Sequence, residues 1–149
     1  MFTLKLVDKN DPVLRKQAAE IITIDDSLKK LVADMAEIMY KSEGVGLAAP
    51  QIGISKRLVL IDVGEGLLAL INPEIIYQEG KEIASEGCLS LPEVFGNVER
   101  SARVVVKALN EQGEEVRIAG AGLLARALQH EIDHLNGVLF IDKVLPDKE

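Results

Sequence analysis

The sequence predicts an α+β fold, with mostly antiparallel strands packed around a central metal-binding helix at about residues 122–136 and an N-terminal helix at about 26–43. Three observations carry that expectation. Leu28, Leu31, Val32, Met35, Ile38 and Met39 recur at helical spacing, and a second helical period runs through LLARALQHEIDHL. Between the two lie RLVLIDV, LLALINPEIIYQ, KEIASE and SARVVVKAL, aliphatic or β-branched runs separated by Gly, Pro, Asn and acidic residues, which is the pattern of strands. NEQG at 110–113 joins RVVVKAL to EEVRIAG with the length and the glycine of a hairpin connection, so the sheet is expected to be mostly antiparallel.

In chain order, NDPVLRKQA opens with Asp11 placed to cap and Pro12 at the first helical position, which predicts a short helical turn. Asp25 or Asp26 can cap the first long helix, and Gly44 can supply the left-handed residue at its end. EGVGLAAPQIG, residues 43–53, fits neither a helix nor a strand: it carries three glycines, a proline and one amide side chain among apolar residues. It reads either as helix termination followed by a packed turn, or as backbone left bare for a substrate, with Gln51 aiming its amide into a pocket. The strand runs follow. The second helix then starts near Gly122 and ends at Asn136-Gly137, a pair suited to a helix C-terminus. On its projection Leu123, Ala127, His130 and His134 share one arc, with Leu124, Leu128 and Leu135 on the adjacent one, so the histidine face is expected to be the buried face.

With 149 residues, 48% of them apolar, the chain is expected to form one domain spanning 1–149. Seventeen basic against 24 acidic side chains give a net charge of −7, which argues against nucleic acid or an anionic membrane as a partner bound through bulk charge. The opening MFTLKLVDKNDP has no apolar run of signal-peptide length and carries acids unlike a transit peptide. No segment approaches the roughly 18 uninterrupted apolar residues of a membrane span. A cytoplasmic monomer is the expectation. Cys88 is the sole cysteine, so no internal disulfide forms and a reducing compartment keeps its thiol available.

Both histidines of the chain fall in QHEIDH, residues 129–134, four positions apart. Residues i and i+4 project from one helical face, so His130 and His134 can aim two nitrogens at one point, which is metal-ligand geometry. Glu131 lies about 100° around the helix from His130, too far to share an ion comfortably but near enough to reach water beside it. A catalytic four-coordinate site needs a third protein ligand and keeps one position open. No third histidine exists, and Cys88 in SEGCLSLP is the soft donor that remains; with two imidazoles it suits Fe²⁺, Zn²⁺, Ni²⁺ or Co²⁺. Two rivals need other residues. A zincin-type peptidase would take a downstream carboxylate, for which Asp142, Asp147 and Glu149 are the acids after His134, and a structural zinc site would close with a fourth Cys or His, of which none is left.

GVGLAAPQ at 44–51, EGCLS at 86–90 and HEIDH at 130–134, in that order, resemble the three signature motifs of the peptide deformylase family, G-x-G-L-A-A-x-Q, E-G-C-L-S and H-E-x-D-H. The resemblance extends from about residue 3 to residue 145. It implies a hydrolase that removes the formyl group from the N-terminal formylmethionine of newly synthesised bacterial polypeptides and releases formate. By matched position, it implies that Cys88, His130 and His134 hold one divalent metal ion, that Glu131 handles protons, and that Gln51 with the backbone N–H of Leu89 binds the developing oxyanion. It also implies Fe²⁺ as the native ion, with Zn²⁺, Ni²⁺ or Co²⁺ entering in preparations because affinity alone favours them.

Selectivity for methionine requires an apolar slot beside the metal, for which Val45, Leu89, Leu123 and Ala127 are candidates. The peptide beyond methionine would pair as an added strand near Val45 and Gly46. Glu86 and Arg100 are candidates for an ion pair that steadies the Cys88 loop. Two departures from the family pattern stand out. Phe95 occupies the position where some members place an arginine near the substrate, so peptide preference beyond methionine is expected to differ. The chain ends in LFIDKVLPDKE, whereas some members continue into a longer helix that aids transient ribosome contact.

Overall fold

The computed structural model describes residues 4–146. Two α-helices, α1 (Asp26–Lys41) and α2 (Gly122–Leu135), frame seven strands: β1 (Gly46–Ala48), β2 (Leu58–Ile61), β3 (Leu68–Glu79), β4 (Glu82–Cys88), β5 (Leu91–Arg100), β6 (Arg103–Leu109) and β7 (Glu115–Ala121). Every strand pair is antiparallel. Five strands form one sheet in the order β1-β2-β3-β6-β7, while β4 and β5 form a separate ribbon.

The two helices cover opposite faces of the sheet. Along β2, Val59 and Ile61 belong to the cluster with Ala125, Leu128, Ile132 and Leu135 of α2, whereas Leu58 and Leu60 belong to the cluster with Leu28, Val32, Met35 and Met39 of α1. A strand buried on both faces must be apolar at every position, which is why this stretch reads LVLI without alternation. The ribbon has its own small core, in which Leu91 and Val98 pack with Leu14, Leu139 and Phe140. Among the described residues no helix is long and apolar enough to cross a membrane.

Local chemistry explains most boundaries. The Asp25 carboxylate accepts from the Leu28 N–H at 3.1 Å and starts α1, and the Asp11 carboxylate accepts from the Val13 N–H at 2.9 Å to start a short 3₁₀ turn at Pro12–Arg15. In the 110–113 connection Gly113 takes a φ of +79° and donates its N–H to the Asn110 carbonyl.

Five expectations need correction. The first helix ends at Lys41 and not at 43. Its left-handed residue is Glu43, with φ 58°, and not Gly44. Gly44 serves packing instead, since a Cβ there would stand 2.7 Å from Cδ1 of Leu89. The 43–53 segment contains a strand after all, the three fully buried residues of β1. β5, a run of ten residues, was not among the expected strands: Pro92, Gly96 and Asn97 weaken its pattern, and its pairing with β4 supplies the order that propensity does not. Finally, Leu123 does not share the burial of the histidine arc. It is 54% exposed, in the first turn of α2.

Candidate metal centre and catalytic cavity

His130 and His134 project from α2 toward the end of β4, where Cys88 lies. One ligand atom from each of the three residues falls within 4.8 Å of the others, and Cys88 Sγ is 3.3 Å from His134 Nε2. His130 Nδ1 lies 2.9 Å from Glu86 Oε1. With Nδ1 donating its proton to that carboxylate, His130 Nε2 is left with a free lone pair, the tautomer a metal ligand needs.

Glu86 is itself buried and fully engaged. Arg100 donates to it twice, through Nε and Nη2 at 2.9 Å each, and Arg126 donates through Nη1 at 2.6 Å. Arg100 also donates to Asp133 on α2, which pairs in turn with Lys143 at 3.0 Å. Burial alone would raise the Glu86 carboxyl, but Arg100 and His130 hold it far below the usual carboxylate range.

Glu131 is the contrasting acid. It is 5% exposed, its Oε1 has no partner among the described residues, and its Oε2 lies 4.0 Å from His130 Nε2. Burial pushes its carboxyl up to about 7 against the pull of His130. Burial would lower His130, yet the charges of Glu131 and Cys88 and the Glu86 contact raise it to about 10, while His134, buried beside His130, is lowered to about 3. The field that favours a proton on His130 favours any cation placed among these donors. A thiolate with two imidazoles suits a borderline transition-metal ion, and three protein donors leave a position open for water or substrate. The residues therefore fit a catalytic metal.

Gln51 sits in the 3₁₀ turn at Ala49–Ile52 after β1. Its Oε1 accepts from the Ala48 N–H at 2.9 Å, which turns Nε2 toward Ser90 Oγ at 3.1 Å and Cys88 Sγ at 3.4 Å. The amide is thus held with its donor end at the cluster. A cavity of about 470 Å³ opens beside it, and Val45, Gly46, Leu89, Leu123 and Ala127 all line it. Ala127 is buried at its wall, while Val45 and Leu123 stand half-exposed. Phe95 lines it as well and is 71% exposed. Asp142, one acid of the peptidase alternative, pairs with Arg15, and Asp147 and Glu149 lie outside the described residues.

Sequence reasoning missed Arg126, Asp133 and Ser90. A signal for the first existed: Arg126 falls four positions before His130 within the otherwise apolar stretch LLARAL, and a buried arginine requires a buried acid.

A family model described as polypeptide deformylase matches residues 3–149. The peptide deformylase of Acetivibrio thermocellus is 58% identical over 138 residues, covering 93% of this chain and 81% of that one. The peptide deformylase of Halothermothrix orenii is 56% identical over 147 residues, covering 97% and 96%. Among solved structures, the crystal structure of peptide deformylase from Thermotoga maritima superposes with a TM-score of 0.95 at 50% identity, covering 98% of this chain and all of that one. That of Synechococcus elongatus in complex with actinonin gives 0.93 at 46% identity, covering 96% and 79%.

Proposed function

The chain belongs to the polypeptide deformylase family and removes the N-formyl group from formylmethionine, and from that premise we propose how its own residues divide the work. Cys88, His130 and His134 would hold the divalent ion on which the family depends. When bound, the ion supplies Lewis acidity and makes water a nucleophile near neutral pH. Glu131 takes a proton from the attacking water at its unpaired Oε1 and delivers it to the departing amine, a role that suits a carboxyl raised to about 7. Gln51 Nε2 and the Leu89 N–H donate to the oxygen that becomes negative as the formyl carbon turns tetrahedral. Glu86 fixes the His130 tautomer, and Arg100 fixes Glu86.

The methionine side chain enters the slot lined by Val45, Leu89, Leu123 and Ala127. β1 pairs on one side only, with β2, so its free edge at Val45 and Gly46 can accept the peptide backbone as an added strand. We assign Fe²⁺ as the native ion, as the family resemblance implies; a thiolate with two imidazoles accommodates it, as it does Zn²⁺, Ni²⁺ and Co²⁺. Residues 1–149 act as one catalytic domain, a monomer in the bacterial cytoplasm that meets formylated nascent chains in transient contact with the ribosome.

The observation that carries this division of labour is the gathering of one thiol and two imidazoles within 4.8 Å of one another, with Cys88, His130 and the buried Glu131, whose Oε1 has no partner among the described residues, lining a single cavity. The test is Glu131→Gln, with metal content measured under anaerobic conditions beside formate release from a formyl-Met peptide. The variant should keep a full complement of metal and lose roughly 10²–10⁴-fold in turnover. Wild-type turnover in the variant would remove Glu131 from the chemistry, and loss of the ion would make it a ligand.

A further inference from the structure

Two separate elements supply the metal donors. Cys88 comes from the end of β4, while His130 and His134 come from α2. The β4–β5 ribbon shares no strand pairing with the five-stranded sheet, so backbone hydrogen bonds between sheets do not set the distance from thiol to imidazoles. Side chains must set it, and one makes more of these connections than any other described here.

Arg126 stands on α2 one turn before His130 and is 6% exposed. Its Nη1 donates to Glu86 Oε2 at 2.6 Å and to the Val98 carbonyl at 2.9 Å, and its Nη2 donates to the Glu82 carbonyl at 2.8 Å. A single guanidinium rooted on the helix thereby holds β4 at two points and β5 at a third. Arg100 braces the same joint from the ribbon's side, reaching from the end of β5 to Glu86 and to Asp133 on α2. Glu86, caught between the two arginines, presents its remaining reach to His130 Nδ1.

We propose that Arg126 is a positioning residue of the metal centre: it docks the ribbon on α2 so that Cys88 meets the two histidines, and it holds the Glu86 carboxylate in the orientation that His130 Nδ1 requires. The proposal rests on the reading of Cys88, His130 and His134 as metal ligands. The side-chain type follows from the geometry, because a planar guanidinium can point donors at a carboxylate and two carbonyls at once. A lysine ammonium would keep the charge beside Glu86 while losing at least one carbonyl. Methionine would fill similar space and leave a carboxylate oxygen and two carbonyls short of a donor. The ribbon has its own apolar cluster with Leu14, Leu139 and Phe140, so loosening this joint need not unfold it.

The test compares Arg126→Met, Arg126→Lys and a control, Val32→Ala, which removes core volume beneath α1. Each protein is loaded with Co²⁺ at a temperature where circular dichroism shows it folded. Affinity is read by competition with a chelator, and the sulfur-to-cobalt charge-transfer absorption reports the Cys88 contact. Arg126→Met should lose about ten- to a hundredfold in Co²⁺ affinity, the usual cost of removing a partner behind a ligand, together with intensity in the thiolate band. Arg126→Lys should lose less, roughly threefold or more. Val32→Ala should melt at a lower temperature and bind Co²⁺ within twofold of the parent. Parent-like affinity and absorption in both Arg126 variants would overturn the proposal, and so would an equal loss in Val32→Ala. Should Arg126→Met fail to fold, Arg126→Lys decides, with an unchanged affinity and band counting against the proposal. Absence of a thiolate band in the parent protein would instead sink the underlying reading of Cys88.

Discussion

Gly46→Ala should disable the enzyme through Glu131, and the size of the effect can be worked from contact distances. A Cβ at Gly46 would stand 2.5 Å from Glu131 Oε2 and 3.0 Å from its Cδ and Cγ, whereas ordinary van der Waals contact begins at 3.4 Å. Relieving the closest contact requires a displacement of 3.4 less 2.5, or 0.9 Å. The backbone at Gly46 is not in the left-handed region and pairs with Ile61, so alanine suits the strand itself and the strain falls on its neighbour. Glu131 is buried, so its carboxylate can give way only by shifting within the cavity it lines. A misplacement of about 1 Å in a catalytic group costs on the order of 10²-fold, or about 2.7 kcal/mol of barrier. Steady-state kinetics on a formyl-Met peptide should therefore show kcat about a hundredfold down, with metal content equal to wild type. In a Glu131→Gln background the same alanine should cost little more, since groups that act as a unit are not additive. A Gly46→Ala enzyme within threefold of wild type, or full additivity with Glu131→Gln, would refute the assignment of that cost to Glu131.

Other outcomes follow from the same cavity and its supports. Because burial raises Glu131 to about 7 and a general base works in its ionised form, turnover should rise as pH increases toward 7 and level off above it; a pH profile flat from about 5 to 8 would contradict the role. Glu86→Gln strips the counter-charge from buried Arg126 and leaves Arg100 with Asp133 alone, and should cost about 3–5 kcal/mol in denaturant unfolding of the metal-loaded protein, with a loss under 1 kcal/mol refuting the burial argument. Formyl-Ala peptides should trail formyl-Met ones roughly ten- to two-hundredfold in kcat/KM, and Ala127→Trp should narrow the gap; equal efficiencies on the wild type would mean that no such slot exists.

Periodicity made the helices and most strands legible because each buries an apolar face against a neighbour, and burial imposes its period on the sequence. α1 and α2 read clearly for that reason, and so did β2, whose unbroken LVLI reflects cover on both faces. β5 was not legible. It belongs to a two-stranded ribbon with little core of its own, and a strand that is mostly solvent-facing can carry Pro92, Gly96 and Asn97 without penalty. The glycines of residues 44–53 were ambiguous for a related reason, since what they clear is distant in sequence. Gly44 makes room for Leu89, Gly46 for Glu131, and only Gly53, at φ +83°, serves a turn. Clearance for a side chain from another element leaves no local trace.

The site was legible where its geometry is local, at His130 and His134, and where chemistry left few alternatives, at Cys88. It was not legible where charge is balanced across elements: Arg126 and Asp133 meet Glu86 and Arg100 only because the ribbon lies on α2. α2 is a buried helix that nonetheless carries Arg126, Gln129, His130, Glu131 and His134. Burying five polar side chains is tolerable only if their hydrogen bonds are met, and nearly all are; Gln129, for instance, accepts from the Ser101 N–H and donates to the carbonyls of Ser101 and Ala125. Among the described residues only two buried side-chain atoms go without a partner, Glu131 Oε1 and His134 Nδ1. Both belong to residues at the metal cluster, and an oxygen that must exchange protons with water and an amine cannot also be tied to a fixed donor. The unmet oxygen is therefore expected at Glu131, whereas Glu86, Arg100 and Arg126, which only have to hold still, have their hydrogen bonds met.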